Sequence, residues 1–292
     1  MFTSECNAKN VGITIFETGK VRIRPSMRTQ TADRFVLLRR IVSLADRRWT
    51  GPLPVTAILI THPEGPILFD TGASPQCNEP GYFPFWMPFS HILTKFSITP
   101  EQGIGAQLRA HGINPIDLKA IVLSHLHHDH AGGLNDFPGV PVYVSKEHWD
   151  VFKHPVHATI EGCVPQHWPK DFAPRMLESK DHPIGPWKRT YPLTSDGRIV
   201  AVDTPGHVPG HISVIVYGDD ATYFLTGDAT YGIDLLDQEL TDGINDNPKE
   251  ALKSVRMIKE FTRQTEVVVL AAHDPDIENR LARRVVYQPT TL

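Results

Sequence analysis

Between Ser124 and Gly133 the chain reads Ser-His-Leu-His-His-Asp-His-Ala-Gly-Gly, which places His125, His127, His128, Asp129 and His130 within six residues. Imidazole nitrogens and carboxylate oxygens at this density are ligands for a borderline divalent metal such as zinc. His125 and His127, two apart in an extended segment, point the same way and can share one metal. Asp129 and His130 lie past the turn and face a second position. His128 falls out of phase and is the expected non-ligand. A solvated, histidine-rich loop would have the same composition, but the pattern finds partners later in the chain. Arg198 to Asp203 is an apolar run that leads into Thr204-Pro-Gly-His207-Val-Pro-Gly-His211. Ala221 to Thr226 leads into Gly227-Asp228, and Glu266 to Ala272 leads into His273-Asp274-Pro275. Chance readily puts one histidine or aspartate after one apolar strand, and much less readily after four.

The elements that must position these side chains are mostly short strands. Ala120-Ile-Val-Leu123 is apolar and β-branched enough for a buried strand ahead of the first cluster. Ligands delivered at strand ends are the habit of sheets with helices outside them. Residues 12–17 and 20–24 alternate about Thr18-Gly19 and predict a hairpin, and 55–61 with 66–70 predict a second about Pro-Glu-Gly. The second ends in Asp70-Thr71-Gly72, an acidic strand end with a sharp turn. Asp33 to Leu44 carries a weak helical stripe rich in arginine and reads as a helix with a solvated basic face. Thr99-Pro100-Glu101-Gln102 opens a helix with a capping box, which Gly112 stops. Val140 to Val144 predicts a strand, and Ser145 starts a helix. Asn247-Pro248 opens another helix whose Leu252, Val255, Ile258 and Phe261 recur at helical spacing, which is a core stripe.

Two segments fit no regular element. Residues 73–98 crowd Tyr82, Phe83, Phe85, Trp86, Met87, Phe89 and Phe96 between prolines, as a lid, an oligomer contact or an irregular piece packed on the core. Residues 153–192 are proline-rich and loop-like, with Trp168 and Trp187, and read as a second wall of a pocket. His148, His154, His157, His167 and His182 lie in or near that stretch and are expected as surface or hydrogen-bonded histidines rather than ligands.

The chain has 292 residues, 40% hydrophobic and 21% charged, with net charge −4 and pI about 6.4. That is long enough for a large core and carries no basic excess, which speaks against a nucleic-acid partner. Cys6, Cys77 and Cys163 form no C-x-x-C pair and suit a reducing, cytoplasmic compartment. The first residues lack the basic and apolar regions of a signal peptide, and no run of 18 apolar residues predicts a membrane span.

The order His125-x-His127-x-Asp129-His130, Pro-Gly-His207, Gly-Asp228, His273 resembles the metallo-β-lactamase superfamily over almost the whole chain. The resemblance implies one domain over residues 1–292, an α/β fold of the αββα sandwich kind with two mixed β-sheets, helices on the outer faces and a dinuclear metal site between the sheets. It implies His125, His127 and His207 on one metal, Asp129, His130 and His273 on the other, and Asp228 bridging; His211 is not a ligand. Within the superfamily the chain looks most like the N-acyl-homoserine lactonases. Tyr231, three residues after Asp228, corresponds to the tyrosine that such enzymes use at the substrate carbonyl. The resemblance further implies a hydrolase that opens a lactone ring with a hydroxide bridging two divalent ions, zinc first, with manganese, cobalt or iron also accepted by such ligands. Asp129 would carry the proton. The alternative is hydrolysis of another cyclic ester, lactam, thioester or organophosphate on the same site. The partners expected are a small lactone and a second copy of the chain as a homodimer, with no nucleic acid and no membrane.

Overall fold

A computed structural model of the chain describes residues 10–31, 35–87 and 89–290. Cys6, the first residues read for a signal peptide, Asp33 and Pro88 lie outside the described residues. The first sheet holds β1 (Gly12–Ile23), β2 (Leu53–Thr61), β3 (Ile67–Phe69), β4 (Thr94–Ser97), β5 (Ala120–Val122), β6 (Val142–Val144) and β7 (Arg175–Met176), in the order β4-β1-β2-β3-β5-β6-β7. β4 through β3 pair antiparallel and β3 through β7 pair parallel, so the sheet is mixed. The second sheet holds β8 (Thr190–Pro192), β9 (Ile199–Asp203), β10 (Ile212–Tyr217), β11 (Thr222–Leu225) and β12 (Val268–Leu270), in the order β12-β11-β10-β9-β8. It too is mixed, with only the β11–β12 pair parallel.

The packing follows from period-two alternation in strands that are buried on both faces. Ile58 and Ile60 of β2 and Val122 of β5 point inward and meet Val214, Val216, Leu225 and Leu270 of the second sheet. Leu59, Leu68 and Ile121 point the other way, onto Leu108 of the helix Ile104–Ala110 and Phe152 of the helix Lys146–Phe152. On the far side, Ile215, Phe224 and Val269 pack under Val255, Ile258 and Phe261 of the helix Pro248–Gln264. These are the layers of an αββα sandwich. Two of the predicted helix starts form, with Asn247 Oδ1 accepting from the Glu250 amide at 3.2 Å and Ser145 Oγ from the His148 amide at 3.3 Å, whereas Thr99 opens only the 3-10 turn Pro100–Gln102, ahead of the helix Ile104–Ala110.

Four expectations need correction. Thr18-Gly19 is a bulge within the single strand β1, not a hairpin turn. Thr18 is buried and its hydroxyl donates to the Val55 carbonyl, so the pair turns inward against β2. The helix Val36–Ala45 is reversed from the expected orientation: Arg39 is fully buried, while Leu37, Leu38, Ile41 and Leu44 are exposed. Its inner face meets backbone carbonyls rather than apolar side chains, and a guanidinium satisfies these where leucine cannot. Residues 153–192 are not structureless, since they include the helix Pro155–Ile160, β7 and β8. Their tryptophans do not line the pocket: half-buried Trp168 sits against Trp149 and Phe172, and buried Trp187 packs on Phe224 and Phe261. Of the aromatic insert, Tyr82 and Phe83 are buried, Phe85 and Trp86 are exposed, and β4 extends the first sheet past β1.

Candidate metal centre

β5 ends at Val122, and the chain then runs past Leu123 and Ser124 into the tight turn that carries the first cluster. The turn is held open by backbone contacts. Asp70, at the end of β3, takes a left-handed φ of 59°, which aspartate tolerates better than most residues. Its carboxylate then accepts from the Ser124 amide at 2.7 Å and the Ser124 hydroxyl at 2.8 Å. The Thr71 amide donates to the His130 carbonyl at 2.7 Å. Gly132 explains its own identity, because a Cβ there would lie 2.4 Å from the His128 carbonyl oxygen and 2.5 Å from the Ser74 amide nitrogen.

The seven expected ligands come together from the ends of β5, β9, β11 and β12. They fall into three overlapping groups, His125/His127/His207, His125/His130/Asp228 and Asp129/His130/His273, whose nitrogens and oxygens within each group lie inside 4.8 Å of one another. The inner nitrogens are close: His127 Nδ1 is 2.9 Å from His125 Nε2 and 3.1 Å from His207 Nε2. Asp228 faces both sides. Its Oδ1 is 3.2 Å from His130 Nε2 and 3.3 Å from His273 Nε2, and its Oδ2 is 3.4 Å from His207 Nε2. Asp129 Oδ2 is 3.7 Å from His273 Nε2.

The outer nitrogens have partners of their own. His125 Nδ1 is 2.9 Å from Ser124 Oγ, His130 Nδ1 2.8 Å from Asp70 Oδ2, and His273 Nδ1 2.8 Å from the Pro54 carbonyl. A carbonyl or carboxylate accepts only from N–H, so the His130 and His273 rings carry a proton on Nδ1 and direct Nε2 at the centre, where, against the effect of burial, the Asp228 carboxylate raises both pKa values. Burial and neighbouring imidazoles push the His125 and His127 pKa values well down. His130 Nε2 and Asp228 Oδ1 are buried without a formed hydrogen bond. Imidazole nitrogens and carboxylates that converge in a buried site fit two divalent cations.

His128 is not among the grouped residues. Its ring lies edge-on to Phe83 at 4.8 Å and Phe96 at 5.0 Å. His211 is outside the groups too, but it serves them: its Nε2 accepts from the Asp228 amide at 3.0 Å and its Nδ1 meets Thr204 Oγ1 at 3.0 Å. His148 is buried and clips two ligand loops, accepting from the Leu126 amide and donating to the Pro209 carbonyl, both at 2.9 Å. His154, His157 and His182 are exposed, and His167 stacks on Tyr82. Asp70, Asp242, His148 and His211 are supporting residues that sequence reasoning does not single out as part of the site. Asp70 has a signal, as an acidic strand end before Thr-Gly; Asp242 has none.

Tyr231 is 5% exposed, with its ring 5.0 Å from His273 and 6.0 Å from His207. Burial, then the charges of Asp228 and Asp242, push its phenol pKa well up, so it stays a donor. A cavity of about 440 Å³ opens over the centre, with His127, Asp129, His207, Asp228, Tyr231 and His273 in its lining. Its other walls are largely apolar: Leu37, Ile41 and Leu44 of the reversed helix, Met87, Leu93 and Phe96 of the aromatic insert, and Ile160. Only Ile160, Glu161 and Gly162 come from the 153–192 stretch.

A family model described as the metallo-beta-lactamase superfamily matches residues 50–273. An N-acyl homoserine lactonase of Bacillus thuringiensis is 31% identical over 228 residues, covering 77% of this chain and 83% of that protein. The N-acyl homoserine lactonase AttM of Rhizobium radiobacter is 29% identical over 231 residues, with the same coverage. An N-acyl homoserine lactone hydrolase solved with N-hexanoyl-L-homoserine at its catalytic metal centre superposes with a TM-score of 0.72 at 25% identity, over 91% of this chain and 94% of that one.

Proposed function

The chain belongs to the metallo-β-lactamase superfamily, and from there we propose that it is a metal-dependent hydrolase opening the ring of N-acyl-homoserine lactones. The observation that carries the reading is the shared cavity, in which a buried phenol donor and two groups of metal-binding side chains meet an apolar wall. His125, His127 and His207 would hold one cation, Asp129, His130 and His273 the other, and Asp228 both. Divalent ions bound there, zinc first, supply Lewis acidity and hydroxide at neutral pH.

The chain's own groups do the rest. Water adds to the lactone carbonyl, the ring C–O bond breaks, and the proton moves to the leaving oxygen to give a hydroxy acid. Tyr231 donates to the carbonyl oxygen as negative charge develops there. Asp129, at the cavity floor, takes the proton and returns it to the leaving oxygen. The apolar walls suit an acyl tail better than the polar substrates of other hydrolases. Arg40 lines the same cavity but is held by Glu161 Oε2 at 2.7 Å and Asp246 Oδ1 at 3.0 Å, so its charge is already paired and does not favour an anionic tail.

The homodimer is part of the proposal, and the exposed Phe35, Leu38 and Phe85, outside the cavity lining, are apolar side chains that it could bury. Free, buried Cys77 and Cys163 support a reducing, cytoplasmic setting. Among the described residues, no helix is long and apolar enough to cross a membrane.

The test is turnover by zinc-loaded protein of an N-acyl-homoserine lactone, a thioester and a β-lactam at equal concentration. Lactone turnover exceeding both others by at least about tenfold is expected, a margin of the size that differences in pocket contacts supply. Preference for the thioester or the β-lactam would overturn the lactonase reading and leave the hydrolase standing.

A further inference from the structure

Like His130, which has the Asp70 carboxylate behind its ring, His207 has a buried carboxylate behind it. Its Nε2 faces His127 and Asp228, so its Nδ1 must carry the proton if the ring is to bind a cation. Asp242 Oδ2 lies 3.3 Å from that Nδ1, near enough for an ion pair though not aligned as a formed hydrogen bond, and both side chains are buried. Asp242 comes from a loop 35 residues further on, so its arrival needs an explanation.

The loop is clamped. Arg39, fully buried on the inner face of the helix Val36–Ala45, donates from Nη2 to the Asp242 carbonyl and to Thr241 Oγ1, and from Nη1 to the Thr31 carbonyl. The Gly243 amide donates to the Met27 carbonyl at 2.7 Å, and a Cβ on Gly243 would meet the Ser26 carbonyl oxygen at 1.8 Å. Asp242 Oδ1 accepts from the Ile244 amide at 3.0 Å, which sets the carboxylate's orientation. A guanidinium is expensive to bury, and these hydrogen bonds fall on the turn that presents Asp242 and on Thr31.

We propose that Asp242, held in place by Arg39, is the positioning residue for His207, fixing its ring plane and tautomer so that Nε2 is a better metal ligand. The inference rests on the metal-centre reading above. Removing a carboxylate behind a ligating imidazole typically weakens metal affinity by about 10–100-fold.

The experiment measures zinc affinity of the full chain by competition with a chromogenic chelator. It is paired with the visible spectrum of the cobalt(II)-loaded protein and the thermal midpoint of the metal-free protein. Asp242→Ala should weaken the affinity of one of the two sites by about 10–100-fold and shift the cobalt bands. Asp242→Asn keeps an acceptor for the Ile244 amide but loses the charge, and should fall between Asp242→Ala and the unaltered chain. Arg39→Met keeps the carboxylate and frees its turn, and should also weaken one site. If Asp242 only shaped its own turn, Asp242→Asn would bind zinc like the unaltered chain, and Asp242→Ala would lower the metal-free midpoint alone. That pattern overturns the proposal. Should Arg39→Met not fold, the Asp242 pair decides. An unaltered chain that binds no zinc would instead sink the metal-centre reading, which separates the two failures.

Discussion

Tyr231 and His148 show how burial assigns a proton, with opposite consequences. For Tyr231, burial and the nearby carboxylates keep the phenol protonated, so it can donate to a carbonyl at any working pH. Tyr231→Phe removes the donor and leaves the histidines in place. A metal acting on the same oxygen would blunt the usual loss of about 10²–10³, so a drop in kcat/KM of roughly tenfold or more is expected, with metal content unchanged. A silent Tyr231→Phe would mean that the ring only packs. Asp129→Asn keeps the size and removes the basic oxygen. Turnover should fall by about 10²-fold or more, with weaker binding of the second metal, and normal turnover at full metal content would remove Asp129 from the mechanism. For His148, burial lowers the pKa to about 4. Its Nε2 accepts a backbone proton and cannot take another without losing that bond. The folded value lies below the ordinary one of about 6.5, so the unfolded chain binds the extra proton first. Stability is therefore lost as pH falls from about 6.5 to about 4 and is flat below. At 1.36 kcal/mol per unit this amounts to about 2–4 kcal/mol. In denaturant titrations of metal-free protein, His148→Gln should lose less stability than the parent over that window. Parallel pH profiles would remove His148 from the acid sensitivity.

Among the elements, the loops that follow strand ends carry the chemistry, and glycine decides how closely they approach. Gly132→Ala presses a methyl against the His128 carbonyl and the Ser74 amide, both backbone groups that cannot swing away. Overpacking of this kind costs about 1–3 kcal/mol and occasionally more, so the denaturant midpoint should fall at unchanged m-value. A midpoint within error of the parent would show that the 71–74 and 128–132 segments give way to a methyl group. These loops are also where the sequence is most legible. His125, His127, Asp129, His130, His207, Asp228 and His273 each follow an apolar run, and local pattern alone marks both strand and candidate ligand. Thr18-Gly19 misleads because a bulge and a hairpin turn use the same residues; the distinction lies in whether β1 has β2 beside it along its length, a non-local fact. The helix Val36–Ala45 misleads for a related reason. Its periodicity marks a helix, but which face turns inward depends on the carbonyl and hydroxyl groups of residues 241–242, some 200 positions away. Asp242 is invisible in the sequence for the same cause. The tryptophans at 168 and 187 give no clue to side, since aromatic residues in a proline-rich stretch can pack inward as readily as line a cavity.

For the molecule as a whole, the two sheets share a hydrophobic interior, and the side chains that could hold metal bridge it at one end. β5 belongs to the first sheet, while β9, β11 and β12 belong to the second. The ligand set therefore spans the sandwich, and cations bound there would tie the sheets together as well as serve catalysis. Protein purified without chelator should hold close to two transition-metal ions per chain by elemental analysis. A consistent value near zero in active protein would sink the dinuclear mechanism. Stability should follow occupancy, because ligands that bind only the folded state add RT ln(1 + [L]/Kd), about 4 kcal/mol for one site at a thousandfold excess over Kd. For a chain of this size that amounts to a fall in Tm on the order of 10 °C when the metals are stripped, with recovery on adding zinc back. Loss of activity on chelation with an unchanged Tm would mean that the ions bind the unfolded chain about as well as the folded one, and would overturn the idea that they tie the sheets together.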